Sequence, residues 1–83
     1  MTAPDDLLQV ARRVVWSDAP QTALANPNLF LAHLMTYGTL EEVLTAKKYF
    51  SDDDFRAALD NAPPGVFDRR SWHYWNAVYH RIP

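Results

Sequence analysis

A chain of 83 residues, 48% of them apolar and 13% aromatic, can bury roughly 63% of its unfolded surface, enough for one modest core. A net charge of −2 excludes the broad basic field of a freestanding nucleic-acid binder. The absence of cysteine excludes disulfides, thiolate zinc sites and cysteine nucleophiles, and two glycines supply no glycine-rich phosphate loop.

The segment Pro4-Asp5-Asp6 opens the first predicted helix, because carboxylates favour the positive end of the helix dipole. Leu7, Val10, Ala11 and Val14 follow at the i, i+3, i+4, i+7 spacing of one buried face, and the pattern ends near Trp16. Arg12 and Arg13 fall on the other side and read as an exposed helix face. Pro20 suits the first position of a short helix to about Ala25.

Asn26-Pro27 is the next start signal. From Leu29 to Tyr37 the chain is apolar almost all round, the mark of a helix surrounded by others, and this segment is the expected centre of the fold. Gly38 marks its end as a C-terminal stop. His33, alone within it, has neither a carboxylate nor a nucleophile at helical spacing. It is expected to be buried and bonded to a backbone carbonyl or a hydroxyl.

Thr39-Leu40-Glu41-Glu42 has the spacing of a capping box, and Leu40, Val43 and Leu44 are the expected inner face of the helix it starts. Ser51-Asp52-Asp53-Asp54 repeats the device, with Phe50 and Phe55 placed as a hydrophobic staple. Phe55, Ala58, Leu59 and Ala62 again share one face. The acidic run lacks the alternating ligands and glycine of a calcium loop, so capping explains it better than a metal does.

Pro63-Pro64-Gly65 is a loop, with Pro64-Gly65 suited to the centre of a type II turn. Asp68 is the expected cap of a last helix, with Phe67 and Trp72 as a second staple. Trp72, Trp75 and Tyr79 form its inner stripe, which leaves Tyr74 pointing elsewhere. No strand pattern, repeat or interdomain linker appears. The expectation is an all-α chain, one domain over residues 1–83, built as a compact bundle of five or six short helices.

Two functional readings compete. The pair of helices across Thr39 to Ala62 has the outline of a helix-turn-helix, which would suit a small DNA-binding transcriptional regulator. The second helix of that pair, however, starts on three aspartates, which would repel a phosphate backbone. The last twenty-one residues are instead net positive by two, with Arg69, Arg70 and Arg81 against Asp68. Exposed aromatics beside arginine are the composition of a protein-interface hot spot. The candidate contact residues are Arg69, Arg70, His73, Tyr74, Asn76 and His80. His73 and His80 lie seven apart, about 10 Å along a helix, too far to share one metal ion.

The run His33-Leu-Met-Thr-Tyr-Gly-Thr-Leu-Glu-Glu42, then Tyr49, then Ala62-Pro-Pro-Gly-Val-Phe-Asp-Arg-Arg-Ser-Trp-His-Tyr-Trp75 resembles a group of short bacterial proteins. In that group a Tyr-Gly pair and an acidic helix start precede a terminal helix of the form Ser-Trp-x-x-Trp. Its members are often encoded beside nucleotidyltransferase toxins of the AbiEii kind. The resemblance spans roughly residues 7 to 80 and implies an antitoxin or accessory role, with no catalytic residues to carry over.

The reading that follows is a protein-binding module and not an enzyme, without cofactor or metal. Its expected partner is a protein, such as a co-encoded nucleotidyltransferase toxin, and nucleic acid is the less favoured partner. The start, Met1 to Asp6, is acidic and lacks the apolar stretch of a signal peptide, and no run of about eighteen apolar residues occurs. The expected location is therefore the cytoplasm, with no membrane span.

Overall fold

The computed structural model describes residues 4–62 and 65–80. Among them are six helices and no strand: α1 (Asp5–Val14), α2 (Pro20–Leu24), α3 (Pro27–Tyr37), α4 (Leu40–Ala46), α5 (Asp52–Asn61) and α6 (Arg69–Val78). The Cα radius of gyration is 11.9 Å. A compact chain of this length is expected to measure about 11.8 Å.

The all-round apolar segment is indeed the centre. Helix α3 packs against each of the other five helices. Phe30, Leu31, Ala32 and Leu34 are fully buried, and Met35 nearly so. From α1 come Leu7, Val10, Ala11 and Val14, the four residues that the spacing placed inside. From α5 come Phe55, Ala58 and Leu59, and from α6 comes Trp75. Phe50 packs on Phe30 and Phe55 on Trp75, both with tilted rings.

Local signals set the helix starts. The Thr39 hydroxyl accepts from the Glu42 N–H, and the Glu42 carboxylate accepts from the Thr39 N–H at 2.9 Å. Ser51 and Asp54 make the same reciprocal pair. Asp68 accepts from the Ser71 N–H at 2.6 Å, and Phe67 meets Trp72 edge to face at 5.8 Å. The acidic run has other uses as well. Asp53 pairs with Arg56, and Asp52 accepts from the Tyr79 hydroxyl. Burial, and then the charge of Asp52, push the Tyr79 phenol up to about 12. His33 is half-buried, and its Nδ1 lies 2.9 Å from the Leu29 carbonyl, the backbone partner expected of it.

Gly38 ends α3 for a different reason than its type suggests. Its φ is −74°, which any residue adopts. A Cβ there would stand 2.5 Å from the Leu34 carbonyl oxygen and 2.8 Å from Leu34 Cδ1. The glycine is a requirement for space, and it lets its own N–H reach that carbonyl at 2.7 Å. Gly65 has φ 84°, the left-handed region that glycine tolerates. Pro63 and Pro64, and with them the expected type II turn, lie outside the described residues.

The inner face expected for α4 is corrected. Val43 and Ala46 are buried, whereas Leu40 is 75% and Leu44 is 55% exposed. Helix α4 packs on α1 and α3 alone. One turn of buried residues suffices for that contact, and the two leucines are left facing outward.

Replacing Ser51 with alanine should cost about 0.5–2 kcal/mol in urea unfolding, the worth of an N-cap. Asp53→Asn lies outside the reciprocal pair and should change stability far less. Equal losses would show that the acidic run works as one charged cluster and not through the cap.

Candidate surface groove between α4 and α6

Helices α4 and α6 do not pack on each other. A groove of about 370 Å³ lies between them at the C-terminal end of α3. Met35, Gly38, Val43 and Trp75 are its floor. Leu40 on one side and Arg70, Ser71 and Tyr74 on the other are its walls. Tyr74 is 61% exposed.

The floor is fixed by the end of α3. The last four carbonyls of a helix have no partner within it. Here the Leu34 carbonyl receives the Gly38 N–H, and the Met35 carbonyl receives the Trp75 indole N–H at 2.7 Å. The Tyr37 carbonyl receives the Arg13 guanidinium at 2.9 Å. Trp75 therefore ties α6 to α3 and lines the groove at once.

The α4 wall is fixed by Glu42, which caps its own helix and pairs with Arg13 of α1. Arg13 is therefore no idle surface charge; it joins α1, α3 and α4. Its guanidinium, and then the Thr39 N–H, hold the Glu42 carboxyl below its ordinary value of 4.5 against the opposing effect of burial.

The six expected contact residues divide. Arg70 and Tyr74, one turn apart, line the groove together. Arg69 faces a different hollow, beside Leu59, Asp68 and Trp72. His73 and His80 are exposed but line neither. His80 stands just past the end of α6 with φ 56°, a left-handed conformation unusual outside glycine.

Asn76 is corrected outright. It is 1% exposed, and its amide donates to the Trp72 carbonyl one turn back at 2.7 Å. It belongs to the buried stripe with Trp72, Trp75 and Tyr79 and touches no surface partner. Arg81 lies outside the described residues.

Sequence reasoning missed Leu40 and Leu44 as surface residues. The signal available was their spacing of four, which defines one face of α4 without saying whether it turns in or out. It also missed Trp16, which is exposed and meets His33 and Tyr37 with ring centroids 6.4 and 5.4 Å apart. Those rings touch directly and leave no gap for a ligand. Among the described residues, no group of three or more His, Cys, Asp or Glu side chains could hold a metal ion. No helix among them is long and apolar enough to cross a membrane.

The Glu42 pair gives a pH dependence with a definite sign. A carboxylate whose folded pKa is depressed stabilises the fold fully above its unfolded pKa. That contribution is present above the ordinary value of 4.5 and is lost as the pH falls from there through the folded value. Glu42→Gln should cost about 1 kcal/mol at neutral pH. Below that window its urea midpoint should converge on that of the wild type; a constant gap at all pH values would mean that the charge contributes nothing.

Compared with protein-family models, with curated proteins and with solved structures, the chain matches none.

Proposed function

We propose that this chain is a non-catalytic protein-binding domain that docks its partner in the groove between α4 and α6. The observation that carries this reading is the outward pair Leu40 and Leu44. A domain of this size buries its large apolar side chains where it can, yet these two stand open to water, and Leu40 lines the groove with an exposed tyrosine and an arginine. An apolar floor, a tyrosine wall and an arginine at the edge are the composition of interface hot spots. The groove's volume of about 370 Å³ suits one or two anchoring side chains. The resemblance around residues 33–42 and 62–75 covers both walls, which makes a co-encoded nucleotidyltransferase toxin the first partner to try, with the chain as its antitoxin or accessory protein.

Regulation of transcription through DNA is weaker on two counts. Helices α4 and α5 do not pack together as a helix-turn-helix pair would. The start of α5 offers Asp52, Asp53 and Asp54 where a reading helix needs donors.

Co-expression with a nucleotidyltransferase toxin of the AbiEii kind, followed by titration calorimetry, tests the proposal. Tyr74→Ala and Leu40→Ser should each weaken binding by about 2 kcal/mol or more while leaving the circular dichroism unchanged. If both variants bind as the wild type does, the groove is not the docking surface.

A further inference from the structure

The groove's chemistry specifies more than a protein partner. Resting on the docking reading above, we infer that its occupant is an amphipathic helix of the partner, with apolar residues on one face and a carboxylate placed to meet Arg70. Arg13, Lys47, Lys48 and Arg56 each pair with a carboxylate. Among the described residues Arg70 is in no such ion pair, and it is the one charged side chain lining the groove. The carboxylate nearest in sequence, Asp68, is engaged with the Ser71 N–H at the start of α6. That hydrogen bond, together with the Arg70 charge, holds Asp68 ionised. No carboxylate lines the groove and Asp68 forms no ion pair with Arg70, so an acidic residue of the occupant would meet the guanidinium directly.

Shape selects a helix over an extended peptide or a small molecule. The walls are helices, whose backbone groups are spent on their own hydrogen bonds, and no strand edge exists among the described residues to pair with an incoming chain. A helix brings its own backbone hydrogen bonds and needs only apolar side chains to fill a groove between two helices, which favours it as the occupant. Each wall helix also carries a further exposed apolar residue one turn beyond the one that lines the groove. Leu44 continues the face of Leu40 one turn on, and Val78 continues that of Tyr74; both are exposed. From Arg70 to Val78 the α6 wall rises about 12 Å, which is the length of roughly two turns of a docked helix. A small carboxylate amphiphile such as a fatty acid would match Arg70 and the floor but leave those two residues uncovered.

The test is selection of a displayed library of helical peptides, randomised on one face, against the intact chain. Enriched peptides should carry apolar residues at i, i+3 or i+4, and i+7, with Asp or Glu at one fixed flanking position. Arg70→Glu should weaken them by about tenfold or more, and exchanging the peptide carboxylate for lysine should restore binding to that variant. Both variants of the groove, Arg70→Glu and Tyr74→Ala, alter exposed side chains, and circular dichroism verifies that they fold. Three results overturn the inference. Peptides that depend on Tyr74 but show no acidic preference, and ignore Arg70→Glu, would refute the carboxylate and leave the docking groove standing. Peptides that bind without dependence on Tyr74, or no enrichment together with no dodecanoate binding, would refute the groove as well. Enrichment of none, with dodecanoate binding that Arg70→Glu abolishes, would assign the site to a lipid-like ligand instead.

Discussion

The indole N–H of Trp75 meets the Met35 carbonyl at 2.7 Å, forty residues back along the chain. Much of the molecule's arrangement depends on that contact. It closes one of the open carbonyls at the end of the central helix, and it fixes how far α6 stands from α3. With Gly38 on Leu34 and Arg13 on Tyr37, three of the four last carbonyls of α3 are accounted for. Without the indole, a buried acceptor would be left unpaired, at a cost of about 1–3 kcal/mol. The aromatic ring also packs on Phe55 and stacks with Tyr79, so one side chain joins α3, α5 and α6.

The groove is a consequence of the same geometry. Helix α4 is held to α1 and α3 through Arg13 and Glu42, while α6 is held to α3 through Trp75. Each helix is anchored from its inner side, and nothing draws the two together. Because α4 buries just Val43 and Ala46, its two leucines stay mostly exposed. An acceptor at the floor is already satisfied, and the walls are leucine, serine, tyrosine and arginine. Such a surface can bind by burial and by one charge, which is the basis of the docking proposal.

The parts of this structure legible in the sequence are those set by neighbours in the chain. Thr39 with Glu42, Ser51 with Asp54 and Asp68 with Ser71 all act across three residues, and each was readable from spacing and side-chain type. The central position of Leu29 to Tyr37 was readable because a helix without a polar face has to be surrounded. Leu40 and Leu44 were misjudged because periodicity marks a face without naming what covers it, and among the described residues no helix covers this one. Asn76 was misjudged because it is polar, although it falls one turn after Trp72 on the buried stripe and satisfies its amide within its own helix. The Trp75 contact and the space needed at Gly38 join residues brought together by folding alone or by the exact path of a helix end, and no local pattern encodes them. Of the candidate site, Arg70 and Tyr74 were legible because a basic and aromatic helix face is unusual in an acidic chain.

Hydrogen exchange at the three tryptophan indoles, followed by 15N–1H spectra, tests the pinning of α3 most directly. Trp16 is 69% exposed and should exchange first, with Trp72, half-buried, after it. The Trp75 indole should exchange last, at the rate of global unfolding, because nothing less releases it from Met35. A Trp75 indole that exchanges as fast as that of Trp16 would contradict the account, since α6 would then not be fixed to the end of the central helix and the groove would have no stable wall.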